Sequence, residues 1–383
     1  MHSNMKFLVD LAIILAVAGA GTLICRRYGQ PRVLGQILAG VLIGPSLLGL
    51  VNHSSFIGNL AEIGIILVMF LAGLETDYNE LKESFESCSL IAIGGIIVPF
   101  ALGVLGIYMI KEHAELSEAI FVGVILTATS LGITVQSLRE MGKLNTKQGV
   151  SILGAAIIDD IFGIIILTIV LGAFGKDHTN IAMLILKILL FFFILAIVGE
   201  VLSKFILKNK QIFRRIKPIY LLTISLILAL LFAGFANEFG MAAIIGAYFI
   251  GVIISTTQLK NRISKEVSRF GYGFFIPIFF VNIGLGVHLH KVVGHLGIAV
   301  TIVIIGIISK IIGSGIGAQL SGFSGRESLQ VGIGMVPRAE VALIIANLGL
   351  NTGFIKNDIF TSIILLVIVS TVLTPIMLKK AYS

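Results

Sequence analysis

The sequence contains few charged residues, and this scarcity defines its environment. Only 13% of its 383 residues are Asp, Glu, Lys or Arg, while 57% are hydrophobic. Soluble globular proteins carry about 25% charged residues, so the composition excludes a soluble protein. No polar tract is long enough to form a soluble domain. We therefore expect a single integral membrane domain over residues 1–383, surrounded by the lipid bilayer.

Other absences narrow the class further. Cysteine occurs only at Cys25 and Cys88, which excludes a disulfide framework. The net charge of +8 could suggest nucleic acid. The basic residues lie in short loops, however, where they indicate membrane orientation, so we expect no nucleic-acid partner. The first apolar run, residues 6–25, can span a bilayer and is followed by Arg26 and Arg27, so it predicts a retained helix and not a cleaved signal peptide.

The sequence contains thirteen apolar runs, each long enough for a helix to cross a hydrocarbon core of about 30 Å. They predict an all-α integral membrane protein with about thirteen transmembrane helices. They cover approximately residues 6–25, 33–50, 56–74, 88–110, 117–138, 148–174, 181–206, 217–236, 239–258, 270–287, 294–318, 328–350 and 358–378. The loops and tail on one side hold twenty Lys and Arg residues and those on the other side five. This bias predicts an external N-terminus and a cytoplasmic C-terminus in the cell membrane.

All seven histidines then lie on the outer side. They are His2, His53, His113, His178, His288, His290 and His295. Ordinary loop polarity explains this distribution, and external pH sensing is the alternative, because histidine titrates near neutral pH.

The seventh run, residues 181–206, reads as a linker helix between two sets of six. A shift of seven helices reverses orientation, so we expect inverted-topology repeats over about residues 1–174 and 217–383. Polar residues interrupt two runs that such a repeat would match. They are Thr127, Thr129 and Ser130 in the fifth run and Pro337, Arg338 and Glu340 in the twelfth. Interrupted segments at corresponding positions of two halves predict the binding site of a transporter.

Two adjacent aspartates, Asp159 and Asp160, lie in the sixth run with no other charge nearby. A charge at the bilayer centre costs roughly 2.5–3.5 kcal/mol on insertion scales, so we expect the chain to use this pair. Lys310 in the eleventh run lies at a similar depth, roughly 12 Å from the inner end of its helix. One lysine cannot neutralise two carboxylates. The second carboxylate therefore requires a proton, a metal ion or Arg338.

The same residues also permit purely structural roles. Lys310 could extend to the interface or form a static ion pair. The hydroxyls of the fifth run could bond to carbonyls of their own helix, and Arg338 and Glu340 could cap half-helix ends. Carboxylate, hydroxyl and carbonyl oxygens suit a hard cation such as Na⁺, Li⁺ or K⁺. They do not suit copper or zinc, which prefer His or Cys.

Three segments accompany the aspartate pair and Lys310: residues 35–45 (GQILAGVLIGP), 70–75 (FLAGLE) and 334–340 (GMVPRAE). Together they resemble the bacterial monovalent cation:proton antiporters, the NapA type in particular and more distantly the NhaA type. The resemblance implies an NhaA-like fold with two crossed, discontinuous helices. It also implies a homodimer in which a core domain moves against a dimerisation domain.

The resemblance further implies roles for the site residues. Asp160, with Asp159, would bind the cation or the proton, and Asp159 would pair with Lys310 in the ion-free state. Our own charge-balance hypothesis adds that Lys310 acts as a proton carrier, giving up a proton when a cation breaks this pair. The family often has Thr-Ser in its first break, whereas residues 127–130 read TATS here, which leaves open which hydroxyl reaches the ion. Relatives with a long soluble tail use it to control potassium efflux. This chain ends soon after its last run, so we do not expect that regulation.

We therefore predict a secondary antiporter, not an enzyme, that exchanges Na⁺, or else Li⁺ or K⁺, for H⁺ by alternating access and needs no cofactor. Burial and the neighbouring carboxylate disfavour the charged form of Asp160, so a proton and a cation compete for it. A cation channel and a K⁺-efflux-type transporter are the alternatives. An intramembrane aspartyl protease is disfavoured, because adjacent aspartates diverge by about 100° on a helix. Salt tolerance, pH homeostasis and a specialised developmental role are all compatible physiological tasks.

Overall fold

The structure, a computed structural model, describes residues 6–111, 114–174, 181–286 and 296–383. Within these ranges the chain forms α-helices with one π-helical turn, Gly271–Phe275, and no strand. The helices are α1 (Lys6–Arg27), α2 (Arg32–Ile43), α3 (Ser55–Glu75), α4 (Tyr78–Glu83), α5 (Phe85–Ile110), α6 (Leu116–Thr127), α7 (Leu131–Glu140), α8 (Lys147–Phe174), α9 (Ile181–Lys208), α10 (Lys210–Arg215), α11 (Pro218–Glu238), α12 (Ala243–Ser255), α13 (Lys260–Phe270), α14 (Ile276–Leu285), α15 (Leu296–Leu320), α16 (Gly325–Gly334), α17 (Glu340–Asn351) and α18 (Asn357–Tyr382).

Ten helical segments in the described part of the chain are long and apolar enough to cross a membrane. Three shorter apolar helices accompany them, at Arg32–Ile43, Ala243–Ser255 and Val341–Asn351. The expectation of an all-α, multi-pass membrane protein is confirmed at this level.

Three predicted runs differ from the helices that form. The sequence predicts a helix over 33–50, but α2 ends at Ile43, where the N–H of Gly44 bonds to Gly40 and Pro45 follows, whose ring cannot continue the helix. The run 239–258 yields the shorter α12, because Gly240 turns the chain at a φ of +78°.

The run predicted over 270–287 begins ten residues earlier, at α13. This basic segment was expected to be a loop. It folds because Ile263 and Val267, four residues apart on one face, are buried, while its charged residues occupy the other face.

Close backbone contacts at glycine hold α1, α2, α3, α11, α12 and α14 together as a first bundle, and α13 packs against α11 and α3 of the same bundle. In four of them a methyl group in place of the glycine hydrogen would lie 2.0–2.4 Å from a carbonyl oxygen of the facing helix, so only glycine allows the approach. The contacts are Gly73 on Tyr248, Gly251 on Phe70, Gly40 on Val281 and Gly284 on Ile37. They join α3 to α12 and α2 to α14.

A second bundle contains α5, α6, α7, α8, α15, α16, α17 and α18. Its central contact is between α5 and α15, where Gly94 and Gly313 each lie against the carbonyl of the other. This approach brings Lys310 of α15 next to Gly95 of α5. The bundle thereby positions the ionisable residues that the sequence singles out.

Candidate ion-binding site

The interruption between α6 and α7 lies directly against the interruption between α16 and α17. The backbone N–H of Ser130 donates to the carbonyl of Pro337 at 2.7 Å. The hydroxyl of Thr134, in the first turn of α7, donates to the carbonyl of Gly334 at 2.6 Å. Each broken span thus supplies hydrogen-bond partners for backbone groups of the other span that have no partner within their own helix.

Arg338 lies between the broken ends and is fully buried. Its guanidinium donates to the carbonyls of Leu126 at 2.8 Å, Gly306 at 3.3 Å and Met335 at 3.2 Å, and also to that of Val336. Leu126 and Met335 lie at the C-terminal ends of α6 and α16, where the helix dipole is negative. The guanidinium therefore stabilises both half-helix ends at once.

Lys310 is also completely buried, and its ammonium is fully used. Nζ donates to the carbonyl of Gly95 at 2.7 Å, to that of Thr127 at 2.7 Å and to Oδ2 of Asp159 at 2.8 Å. These are the three hydrogen bonds that an ammonium can donate. Lys310 therefore does not extend to the interface. It joins α5, the end of α6 and the carboxylate of α8.

Asp159 receives a second hydrogen bond on the same oxygen, from the hydroxyl of Thr129 at 2.6 Å. Its other oxygen, Oδ1, is buried and has no hydrogen-bond partner among the described residues. The hydroxyl of Thr127 bonds within its own helix to Val124, and that of Ser130 has no partner in the described part of the chain. Of the three hydroxyls at this break, only that of Thr129 reaches the carboxylate.

Asp160 follows on α8 about 100° around the helix. It is 7% exposed, against 3% for Asp159, so both carboxylates lie inside the protein at the middle of α8. Ile157 and Ile161 line a cavity of about 700 Å³ between α4, α5 and α8 on one side and α9 and α12 on the other, and Asp160 is not among its lining residues.

Two functional-site neighbours were missed from the sequence, Ser370 and Thr371 on α18. The backbone N–H of Arg338 donates to Oγ of Ser370 at 3.1 Å, and the hydroxyl of Thr371 donates to the carbonyl of Arg338 at 2.9 Å. Hydroxyls recurring in an otherwise apolar helix were the available signal. Gly95 and Gly306 contribute only carbonyls, which leave no signal in a sequence. Glu340 begins α17, and its side chain lies outside the described set.

Nearly the whole chain matches known proteins in sequence. Residues 12–381 match the family described as "Sodium/hydrogen exchanger, transmembrane". The chain is 38% identical over 381 residues to the "Na(+)/H(+)-K(+) antiporter GerN" of Bacillus cereus, covering 99% of this chain and 97% of that protein. It is 36% identical to the "Na(+)/H(+) antiporter" of Enterococcus hirae, with 98% of each covered.

Among solved structures, the fold is similar to that of the sodium proton antiporter MjNhaP1 from Methanocaldococcus jannaschii at pH 8. The TM-score is 0.71 at 17% identity, with 99% of this chain and 97% of that chain covered. At this identity the likeness concerns the fold alone.

Proposed function

The chain belongs to the sodium/hydrogen exchanger family, and on that premise we propose that it is a secondary antiporter that exchanges a monovalent cation for H⁺ across the cell membrane. Na⁺ is the proposed cation, because the relatives from Bacillus cereus and Enterococcus hirae are named Na⁺/H⁺ antiporters. K⁺ is the second candidate, since the name of the Bacillus cereus relative includes it.

The observation that carries the proposal is the buried carboxylate pair Asp159–Asp160 at the crossing of two broken spans. Lys310 carries one positive charge and lies 2.8 Å from Asp159. One lysine does not balance the charge of two ionised carboxylates, so a proton or a cation completes the charge balance of the pair. Asp160 holds either a proton or a cation, and the two exclude each other. If only the occupied forms change sides, exchange is obligatory.

We propose that Lys310 also takes part in the charge balance. When a cation enters beside Asp159, the ion pair with Lys310 breaks and Lys310 releases its proton. Two protons then move for each Na⁺, and the exchange carries net charge. Reversal-potential measurements in proteoliposomes test this stoichiometry. A voltage-independent exchange would contradict it.

Alternating access requires the second bundle to move against the first. Arg139, at the inner end of α7, connects the two. Its Nε donates to Glu75 of α3 at 2.8 Å, its Nη1 to the hydroxyl of Tyr272 in the π-turn at 2.7 Å and its Nη2 to Ser268 of α13 at 3.0 Å. We propose that this inner contact holds the bundles together on the predicted cytoplasmic side and has to break as the second bundle moves.

Recurring glycine contacts support the proposal of two inverted repeats. Counterparts in the two halves are separated by a constant 211 positions: Gly35 and Gly246, Gly40 and Gly251, Gly73 and Gly284. Their carbonyl partners, Phe70 and Val281 among them, have the same spacing. The pairing of α2 with α14 in this scheme corresponds to the pairing of α12 with α3.

An external N-terminus, a cytoplasmic C-terminus and a homodimer complete the proposal. The charge distribution supports the orientation, and the family resemblance supports the dimer. Labelling of a cysteine at Ser383 from each side of the membrane tests the first. The mass of the purified protein in detergent tests the second.

Replacing Asp160 by Asn tests the central claim. In proteoliposomes that contain a pH-sensitive dye, we expect an imposed Na⁺ gradient to drive a pH change with the wild type and none with Asp160→Asn, which still purifies as a folded protein. Asp10→Asn, the same change on α1, is the matched control and keeps exchange. Wild-type rates in Asp160→Asn would contradict the proposed site. Na⁺ flux without any pH change in the wild type would indicate a channel.

A further inference from the structure

A pocket of about 330 Å³ lies where the first and second bundles meet on the predicted inner side. The first bundle contributes the end of α1, the turn that follows it and the start of α2, and the second contributes the end of α7 and the last turns of α18. Small-molecule sites commonly have volumes of about 300–1,000 Å³, so the pocket can hold a small polar ligand. The histidines were predicted on the opposite side, where only His53 falls among the described residues and the other six lie outside them.

Three side chains that line this pocket are cations. Arg26 and Arg32 belong to the first bundle and Lys379 to the second, while Glu140 is the one acidic residue among the described lining residues. Three positive charges against one negative charge leave a net charge of +2. Like charges that converge on one space repel each other, and an anion between them removes the repulsion. The pocket therefore favours an anion.

The two guanidinium groups are available to bind such an anion. Neither forms an ion pair or a hydrogen bond with a residue that the structure describes, and both arginines are exposed. The carboxylate of Glu140 is engaged elsewhere, because it accepts the backbone N–H of Arg32 at 2.5 Å and the side-chain amide of Gln136 at 2.7 Å. A planar guanidinium binds phosphate through paired, charge-assisted hydrogen bonds, so a phosphate group suits this pair of arginines.

Apolar residues next to the cations favour a lipid as the source of the phosphate. Leu23 precedes Arg26 by three residues on α1, and Ile376 precedes Lys379 by three residues on α18, so each cation shares a helix face with an apolar side chain. Leu23 is 68% exposed and Ile376 39% exposed. A free phosphate ion would use only the cations, whereas the acyl chains of a lipid would also cover these faces. Basic pockets between transmembrane helices on the cytoplasmic side are typical sites for anionic headgroups.

We propose that this pocket binds the phosphate of an anionic phospholipid, which Arg26 and Arg32 hold from the first bundle and Lys379 from the second. Lys379 already reaches the first bundle, because its Nζ donates to the carbonyl of Gly29. A phosphate among the three cations adds a bridge between the bundles that is separate from Arg139. The binding site goes beyond the proposed antiport function. Only its consequence, that the bound lipid favours the conformation in which Lys379 contacts Gly29, rests on the proposed movement of the bundles.

Melting of the purified protein in detergent tests the site, with phosphatidylglycerol as the anionic probe and phosphatidylcholine as the zwitterionic one. With phosphatidylglycerol at about one hundred times its Kd, we expect the melting temperature of the wild type to rise by about 4 °C, and phosphatidylcholine to change it by less than about 1 °C. Arg26→Gln and Arg32→Gln each lose most of this rise. Arg27→Gln is the matched control and keeps it, since Arg27 is the exposed neighbour of Arg26 but does not line the pocket.

A second pair of variants tests the contribution of the other bundle. Lys379→Gln is expected to lose most of the rise, and Lys380→Gln, the exposed neighbour outside the pocket, to keep it. Glu140→Gln removes the one negative charge that opposes the phosphate. It should lower the phosphatidylglycerol concentration that gives half of the rise by about fivefold, a gain that a misfolded variant would not show.

Equal losses in Arg26→Gln and Arg27→Gln would assign the effect to general surface charge and overturn the pocket. A wild type that melts unchanged with phosphatidylglycerol, or that rises equally with phosphatidylcholine, would overturn the anionic lipid. The same rise with inorganic phosphate alone would identify a soluble ligand and overturn the lipid assignment. Melting requires no ion gradient, so this test fails or succeeds independently of exchange: Asp160→Asn should respond to phosphatidylglycerol as the wild type does.

Discussion

The helices α8 and α18 occupy corresponding places in the two halves of the proposed repeat, and they contact the neighbouring breaks with different chemistry. On α8, the carboxylate of Asp159 accepts a hydrogen bond from Thr129 in the first break. On α18, Ser370 and Thr371 bind the backbone of Arg338 in the second break. The first half thus has the hydroxyl of Thr129 in its break and two carboxylates on α8. The second half has the guanidinium of Arg338 in its break and hydroxyls on α18.

This difference assigns separate tasks to the two halves. Two identical halves would place equal charges on both sides of the crossing, and each buried charge would need its own compensation. Here the arginine of the second half stabilises carbonyls at the ends of both broken helices, and we propose that the acids of the first half serve the exchange. The glycine contacts that the halves share build the frame, and the residues that differ provide the chemistry.

Replacing Arg338 should have the largest effect, because it belongs to the structural half of the comparison. Arg338→Gln leaves several buried carbonyls without a donor, at about 1–3 kcal/mol each, so we expect the free energy of unfolding to fall by about 3 kcal/mol or more. Thermal melting of the purified protein measures the loss. Arg326→Gln, an exposed arginine at the start of α16, is the control and changes the free energy of unfolding by less than about 0.5 kcal/mol. Equal melting temperatures for the two variants would contradict the structural role of Arg338.

Asp159 and Lys310 should show a strong mutual dependence. Asp159→Asn leaves the ammonium of Lys310 buried without its carboxylate, which we expect to lower the free energy of unfolding by about 3 kcal/mol. Lys310→Gln leaves the carboxylate of Asp159 buried without its ammonium, so we expect a similar loss in the free energy of unfolding. The double variant recovers most of the stability, because neither charge is then left alone, although exchange is lost. A double-mutant cycle from four melting curves gives the coupling, and simple additivity would show that the pair is not coupled.

Much of the charged part of the site could be predicted from sequence. An acid or a lysine inside a long apolar run is costly, so it attracts attention without any structure. Asp159 and Lys310 were expected at one depth from helix rise alone, and their side chains lie 2.8 Å apart. The broken runs were visible because proline, arginine and consecutive hydroxyls interrupt otherwise apolar helices.

The remainder of the site depends on groups that sequence does not distinguish. The carbonyls of Gly95 and Gly306 act through the backbone, which every residue has. The helix boundaries failed where a local turn outweighed hydrophobicity, as at Gly44 and Pro45, which end α2 early.

The shared frame can be tested by equal changes in the two halves. Gly73→Ala and Gly284→Ala each place a methyl group 2.0–2.3 Å from a facing carbonyl, so each should lower the free energy of unfolding by about 1–3 kcal/mol. We expect the two losses to agree within about 0.5 kcal/mol, the margin for comparable sites. Gly163→Ala on α8, where the added methyl meets no atom within 4 Å, is the control and is neutral or stabilising. A loss in only one half would break the correspondence of the frames.

The smallest expected effect concerns Arg139, which bridges the two bundles. Arg139→Gln removes a partly buried ion pair with Glu75, a contact worth about 1 kcal/mol, so it should shift the balance of conformations about fivefold toward inner opening. A cysteine in place of the buried Leu138, in a background without Cys25 and Cys88, would then react faster with an impermeant thiol reagent added from the inner side.

Arg269→Gln removes an exposed arginine within α13, whose pair with Glu266 spans 3.8 Å and does not join the bundles, so its labelling rate stays that of the parent. Faster labelling in both variants would mean that net charge, and not the bridge, controls access. An unchanged rate in Arg139→Gln would mean that apolar packing between α3 and α7 alone keeps the inner side closed. In that case apolar packing would hold the two bundles together, and the charged residues would serve only the ion.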